Sequence, residues 1–159
     1  MNLGEKELIK KAIKCADETV ERNAGGPFGA AIITPDGNVI VSSNTVLESN
    51  DPTSHAEVNV IRKTCSILKT YDLTGCILYT TCYPCPMCLS ACIWANIKEV
   101  YYGATPDDAA SIGFRDSYIY DFIKGNCKDI NVLKISQIED KSDCVDMFER
   151  YAKKSKTIY

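Results

Sequence analysis

Four residues in two short motifs carry the strongest chemical signal in the sequence. His55 precedes Glu57 by two positions, and Cys85 and Cys88 follow in a Pro-Cys-x-x-Cys motif whose first cysteine lies 30 residues after His55. An imidazole and two thiolates are preferred zinc ligands, and three protein ligands leave a fourth position for water, as in catalytic sites. Zinc lowers the pKa of such a water from ~15.7 to near ~7, and Glu57 remains free to carry its proton. The pattern therefore predicts one hydrolytic Zn²⁺ site per chain.

These residues also have non-catalytic interpretations. His55 is the only histidine in the chain, and a lone histidine is usually an ordinary core or surface residue. Thr53 or Ser54 can cap a helix, and Glu57 follows Ser54 at the spacing of a capping box. The agreement of the two motif halves favours the catalytic site, and a capping role of Glu57 is compatible with it.

The remaining cysteines leave two other metal hypotheses open. Of the nine cysteines, Cys82, Cys85, Cys88 and Cys92 reproduce the bacterial ferredoxin spacing, apart from the proline that should follow the last one. An iron–sulfur protein would place them on an irregular loop, whereas the segment after Cys88 has the pattern of a helix. A structural zinc module with Cys82 as fourth ligand would be a closed site and would leave the nearby glutamate without a role.

The composition narrows the class of protein and its partners. The chain has 159 residues, 45% of them hydrophobic and 25% charged, which suits one globular domain spanning residues 1–159. No apolar run approaches the ~20 residues that a membrane helix needs, and the N-terminus does not resemble a signal peptide, so we expect a cytoplasmic protein. The net charge of −3 differs from the basic footprint of nucleic-acid binders. We therefore expect a small-molecule substrate and neither a membrane nor a nucleic-acid partner.

Hydrophobic periodicity and turn residues predict the elements that position the motifs. Helical spacing of apolar residues predicts helices over residues 4–22 and from about 55 to 69. Asp36-Gly37 between two apolar runs predicts a β-hairpin over residues 30–42. Strands alternating with helices after a hairpin indicate an α/β sandwich. The other expected elements are strands at 76–81, 99–103 and 130–135, helices through 88–95, near 119–123 and at 143–154, and loops at 44–53 and 105–116.

With both motif halves placed, the chain resembles the cytidine-deaminase-like superfamily and, within it, the bacterial guanine deaminases. The resemblance runs nearly end to end and rests on the motifs Gly25–Ala30, Ser49–Glu57, Pro84–Cys88 and Gly113–Tyr120. It implies a three-layer α/β/α sandwich with a mixed five-stranded sheet. It also implies zinc-dependent conversion of guanine to xanthine and ammonia, with zinc bound by His55, Cys85 and Cys88.

The resemblance assigns roles to further residues. It implies that Glu57 is the proton shuttle and that Asp116 assists the leaving amino group. It implies that Asn44 hydrogen-bonds the base and that Phe28 and Trp94 shape the pocket. From chemistry alone, Asn44 and Asp116 could be loop residues and Trp94 a core residue.

The same resemblance implies a partner subunit. The C-terminal segment of the neighbouring chain would cross the pocket in a domain-swapped homodimer, so that the tail 155–159 covers an active site and Tyr159 contacts the substrate. A tail that closes its own site remains an alternative.

The substrate is the least determined part of this prediction. A tRNA adenosine deaminase would share both zinc motifs, but it would need surface cations and an open mouth for a flipped nucleotide. Guanosine and cytosine remain alternatives, because pocket details set selectivity. Tyr83 departs from the family pattern, which more often has glutamate before the Pro-Cys motif.

Overall fold

A computed structural model of the chain describes residues 3–125, 133–137, 139 and 141–154. Within these ranges, every helix is too short or too polar to cross a lipid bilayer. The elements, in chain order, are α1 (Leu3–Glu21), β1 (Gly29–Ile33), β2 (Val39–Ser43), α2 (Val46–Ser49), α3 (Ala56–Leu68), β3 (Ile77–Cys82), α4 (Pro86–Trp94), β4 (Glu99–Ala104), α5 (Pro106–Ser111), α6 (Asp116–Ile123) and α7 (Ser142–Ala152).

Most predicted elements are confirmed, and the differences lie in the segments predicted as loops and in the last strand. The predicted loop over residues 105–116 contains α5, because Thr105 and Asp108 form a capping box and Pro106 begins the helix. The short α2 interrupts the other predicted loop. Residues 133–135 are not in a strand, and residues 130–132 of that prediction lie outside the described ranges.

The sheet is mixed and has the strand order β2-β1-β3-β4. β1 runs antiparallel to β2 and to β3, whereas β3 runs parallel to β4. The described residues therefore form four strands and not the expected five. The parallel pair requires a crossover, which α4 supplies, and such connections place loops at the carboxyl ends of the strands. The loop that carries Cys85 leaves the sheet at this end of β3.

The side-chain alternation of β1 shows that helices cover both faces of the sheet. Ala30 and Ile32 are fully buried in a core cluster with Val60 of α3. Gly29, one position away and so on the opposite face, approaches the backbone of Ala12 in α1. This arrangement confirms the predicted α/β/α sandwich.

The close approach of α1 to β1 depends on the absence of a side chain at Gly29. A Cβ atom there would lie 2.0 Å from the Ala12 carbonyl oxygen, and neither backbone can move cheaply. We expect Gly29→Ala to lower the free energy of unfolding by about 1–3 kcal/mol, measured by urea denaturation. Gly4→Ala is the control, since a Cβ on Gly4 meets nothing within 4 Å. Equal stability of Gly29→Ala and wild type would contradict the predicted clash.

Candidate metal centre and substrate cavity

The N-termini of α3 and α4 meet at the carboxyl end of β3. His55 is the N-cap residue of α3 and Cys85 that of α4, and both have extended backbones. Pro86 explains the second case, because a proline disfavours helical conformation in the residue before it and suits the first helical position. Cys88 follows in the first turn of α4, on the side that faces Cys85.

The capping box predicted at the start of α3 is wrong. The His55 side chain makes no capping hydrogen bond, and the Ser54 hydroxyl donates to Asp51 Oδ2 at 3.0 Å. Glu57 is buried instead, and its Oε1 accepts a hydrogen bond of 3.0 Å from the Thr80 hydroxyl on β3. The carboxylate therefore belongs to the interior of the site and not to the helix end.

Three ligand atoms converge at the meeting point. His55 Nδ1 lies 3.6 Å from Cys85 Sγ and 3.6 Å from Cys88 Sγ, and the two sulfur atoms are 3.5 Å apart. A tetrahedral zinc ion with bonds of ~2.3 Å to sulfur and ~2.0 Å to nitrogen requires ligand separations of roughly 3.5–3.8 Å. The geometry and the donor set both fit zinc.

The protonation state of the two thiols is asymmetric. The contact with Cys88, supported by His55, lowers the pKa of Cys85 to about 4. The pKa of Cys88 is raised, because Cys85 lies beside it as a thiolate and burial disfavours a second charge. The interaction with Cys85 raises the pKa of His55. A bound divalent cation would reverse this balance, since it requires both thiolates and a neutral imidazole.

Glu57 lies beside the three ligand atoms but is not a member of the metal-binding group. Its Oε2 accepts a weak hydrogen bond of 3.4 Å from the Cys88 thiol, while Thr80 holds the other oxygen. Burial raises the pKa of Glu57, because the charged form loses its hydration. A buried carboxyl group with a raised pKa beside a metal site has the properties of a general acid and base.

These residues line a cavity with about 340 Å³ of open space, counting its mouth. Its wall carries three groups that can contact a ligand: the amide of Asn44, the carboxyl of Asp116 and the paired rings of Phe28 and Phe114. The complete lining is Phe28, Asn44, His55, Glu57, Cys82, Tyr83, Cys85, Phe114 and Asp116.

The Asn44 amide is buried and held in one orientation. Its Oδ1 accepts hydrogen bonds from the backbone N–H groups of Gly26, at 3.1 Å, and Val46, at 3.2 Å. Since both donors approach the oxygen, the NH₂ group points away from them. Asn44 therefore contributes a donor of defined direction to the cavity wall.

Asp116 and two phenylalanines form the side of the cavity contributed by the segment after α5. Burial raises the pKa of Asp116, which is half-buried at the start of α6, and the Cys85 thiolate adds to this effect. The Phe28 and Phe114 rings meet edge to face, with centroids 4.7 Å apart. Phe114 was not predicted, although it lies within the Gly113–Tyr120 motif.

Tyr120 ties α6 to the loop that carries the cysteines, and Tyr83 lies in that loop. The Tyr120 hydroxyl donates to the Pro84 carbonyl at 2.7 Å, directly before Cys85. Tyr83 lines the cavity and packs edge to face on Tyr102, with centroids 4.9 Å apart. The side chain that departs from the family pattern is therefore an aromatic part of the cavity wall.

One predicted site residue, Trp94, is not brought to this cavity. Trp94 is 65% exposed at the end of α4, where it borders a separate surface groove with Tyr71. A helix rises about 1.5 Å per residue, which puts Trp94 roughly 13 Å along α4 from Cys85. Tyr159 lies outside the described residues.

The ferredoxin-like cysteine cluster is not assembled. Among the described residues, the group that could hold a metal ion consists of His55, Cys85 and Cys88. The Cys82 thiol faces the Thr105 carbonyl oxygen at 3.6 Å, and burial raises its pKa to about 11. Cys92 is part of the hydrophobic core. Neither the iron–sulfur hypothesis nor the closed four-ligand zinc module fits these positions.

Comparison with known proteins agrees with the geometry. Residues 4–104 match the cytidine and deoxycytidylate deaminase zinc-binding region. The chain belongs to this deaminase family. It is 51% identical over 113 residues to the guanine deaminase of Bacillus subtilis strain 168, a match that covers 71% of this chain and 72% of that relative.

A solved structure and a second relative are also similar to this chain. The X-ray structure of guanine deaminase from Bacillus subtilis superposes with a TM-score of 0.88 and 40% identity, covering 100% of this chain and 99% of that chain. The tRNA-specific adenosine deaminase of Buchnera aphidicola subsp. Schizaphis graminum is 30% identical over 145 residues, 91% of each chain.

The proposed metal ligands can be tested by comparing substitutions of Cys85 and Cys82. We expect Cys85→Ser to lose stoichiometric metal, because serine is a poor replacement for a thiolate ligand. Cys82→Ser is the matched control and should retain the metal, since its sulfur faces Thr105. Metal content per chain, measured by atomic emission after dialysis, distinguishes the two. Loss of metal from Cys82→Ser would show that a third cysteine takes part as a fourth ligand.

Proposed function

We propose that this deaminase hydrolyses free guanine to xanthine and ammonia. The observation that carries the proposal is the position of Glu57, buried beside the convergent His55, Cys85 and Cys88 in a small cavity. The similarity to guanine deaminase of Bacillus subtilis over the whole chain supports guanine as the base.

The proposed metal is one Zn²⁺ per chain, held by His55, Cys85 and Cys88. When bound, zinc supplies the Lewis acidity that activates the attacking water. The two thiolates balance the charge of the ion.

Glu57 is the proposed proton carrier. Its carboxylate takes a proton from the attacking water and delivers it to a ring nitrogen of the base. It then assists protonation of the departing amine, so that one water is consumed and one ammonia is released. Thr80 holds one carboxylate oxygen, which leaves the other oxygen, beside Cys88, to face the reacting atoms. Positioned proton transfer of this kind typically contributes ~10²–10⁴-fold in rate.

The proposed base-binding contacts come from the opposite walls of the cavity. The Asn44 NH₂ group donates to an acceptor on the edge of the base, and its orientation is set in advance by Gly26 and Val46. Asp116 accepts from the leaving amino group. The rings of Phe28 and Phe114 offer apolar surface to a planar heterocycle.

The charge and the cavity both favour a free base over a polynucleotide. The net charge of −3 offers no general attraction for phosphates. The cavity is also small and is lined by nine residues, which suits a single planar base better than an extended strand.

We also propose that the chain works as a homodimer whose C-terminal segments are exchanged. Every residue from 141 to 154 is exposed, although α7 has an apolar face formed by Val145, Phe148 and Tyr151. An amphipathic helix normally buries such a face. In this proposal the face packs on the second subunit, and the tail 155–159 with Tyr159 covers that subunit's cavity.

A substrate panel tests the proposed reaction. We expect wild-type protein to convert guanine to xanthine, followed by the ultraviolet spectrum and by ammonia release, with little turnover of guanosine, adenine, cytosine or tRNA. Glu57→Gln is the control, and it should retain zinc but lose at least ~10²-fold in kcat, because the amide cannot carry the proton. Faster turnover of tRNA or adenine than of guanine would refute guanine as the substrate.

Mixed dimers test the exchange of tails. A chain that ends at residue 155 should lose guanine turnover, and so should a full-length chain with Glu57→Gln. If tails are exchanged, the tail of the Glu57→Gln subunit covers the intact site of the shortened subunit. Co-expression should then restore up to about half of the activity per dimer. Co-expression that restores nothing, with a mixed dimer present by mass spectrometry, would favour a tail that closes its own site.

A further inference from the structure

Asn59 makes a three-way contact that no part of the proposed chemistry uses. It lies in the first turn of α3 and is half-buried. Its Nδ2 atom donates to Ser43 O at 3.0 Å, to Thr45 Oγ1 at 3.0 Å and to Ser54 O at 3.2 Å. An amide nitrogen has two hydrogens, so at least one hydrogen is shared between two acceptors.

The three acceptors adjoin two different parts of the site. Ser43 and Thr45 are the residues on either side of Asn44, at the end of β2. The Ser54 carbonyl belongs to the peptide bond that joins Ser54 to His55. The Thr45 N–H group donates to this same carbonyl at 3.0 Å, which closes the connection between the two segments.

The strand end is also held from its other side. The hydroxyl groups of Thr19 on α1 and Ser43 are hydrogen-bonded at 2.5 Å in the interior. The end of β2 is thus anchored to α1 by one bond and to α3 by the Asn59 amide. Without the amide, the hydrogen bond from the Thr45 N–H group to Ser54 O still links the Asn44 segment to the start of α3.

We propose that Asn59 is a positioning residue, which sets the distance between the base-binding amide of Asn44 and the His55–Glu57 end of α3. The inference rests on the proposed function, in which one segment recognises the base and the other performs the chemistry. Errors of about 1 Å between two such groups cost ~10²-fold in rate. Asn59 touches neither the base nor the ligand atoms, so its effect on the reaction passes through Asn44.

The decisive experiment is a double-mutant cycle on zinc-loaded protein. Asn59→Leu keeps a similar volume and removes both donors, and we expect it to lower kcat/KM for guanine by about 10- to 100-fold. In an Asn44→Ala background, the same substitution should cost less than about threefold, because no amide remains to be misplaced. Equal losses in the two backgrounds would show that Asn59 is only structural and would overturn the proposal.

A binding measurement supplies a readout that is independent of turnover. In zinc-loaded Glu57→Gln protein, Asn59→Leu should weaken guanine binding by about tenfold in equilibrium dialysis. The absorption spectrum of the cobalt-substituted protein should stay unchanged, since His55, Cys85 and Cys88 keep their own geometry. Undiminished guanine affinity would contradict the proposed role.

Thr64→Val is the matched control on the same helix. The Thr64 hydroxyl is buried and donates to Val60 O at 2.7 Å, away from the cavity. We expect this variant to lose stability without a change of more than about twofold in kcat/KM. An equal loss of kcat/KM in Thr64→Val and Asn59→Leu would assign both effects to general destabilisation and overturn the proposal.

Failure of the proposed function would give a different result. If the wild type neither binds nor deaminates guanine, the substrate assignment fails, and the cycle is run with the base that the panel identifies. Hydrogen exchange requires no substrate, and Asn59→Leu should accelerate it in both segments, residues 43–46 and 54–57, whereas Thr64→Val should not. Unchanged exchange in Asn59→Leu would overturn the positioning role whatever the substrate is.

Discussion

The beginnings of α3 and α4 are held together at one point, and the rest of the site depends on this meeting. His55 Nδ1 and the sulfur atoms of Cys85 and Cys88 lie within 3.6 Å of one another. Without a cation, two adjacent thiolates would repel each other, so one of the two thiols keeps its proton. The pKa of Cys85 is accordingly lowered and that of Cys88 is raised. A bound divalent ion would remove this conflict, because His55, Cys85 and Cys88 would hold it as a neutral imidazole and two thiolates. The sheet and the two helices are the frame that maintains this spacing.

Burial gives the neighbouring carboxyl group its chemical character. Glu57 occupies a position where water is excluded, with Thr80 on one oxygen and Cys88 near the other. Desolvation raises its pKa above the ordinary value for a glutamate, because the charged form loses its hydration. Since His55 and Glu57 both lie at the start of α3, a small shift of this helix would move them together. The amide of Asn59 links this end of α3 to the Asn44 segment through its hydrogen bonds to Ser43, Thr45 and Ser54.

The cavity wall is assembled from segments that are far apart in the chain. Asn44 comes from the end of β2, Asp116 from the start of α6 and Tyr83 from the loop after β3. The bond from Tyr120 to the Pro84 carbonyl links α6 to the cysteine loop. The cavity wall thus depends on contacts between connecting segments, whereas the convergence of His55, Cys85 and Cys88 depends on two helix ends. The cavity wall can therefore vary while the convergent group stays the same, which is consistent with similarity both to a guanine deaminase and to a tRNA-specific adenosine deaminase.

Local sequence determined the features that depend on neighbours in the chain. The Pro-Cys-x-x-Cys motif specified both the start of α4 and two of the ligand atoms, because proline sets the backbone of its own position and of the residue before it. The Asp-Gly turn specified the hairpin in the same way. The ligand types and their affinity for zinc followed from chemistry that does not require a fold.

Tertiary structure decided everything that joins distant segments. The capping box expected for Ser54 and Glu57 is absent. The Ser54 hydroxyl donates to Asp51 instead, and the Glu57 carboxylate accepts from Thr80, which lies 23 residues further along the chain. Trp94 lies near the cysteines in sequence, yet the length of α4 carries it to the surface. The contacts of Asn59 with two segments could not be predicted either, since an amide and its acceptors follow no spacing rule in the sequence. Motifs specify which atoms can react, but only packing determines which of those atoms meet.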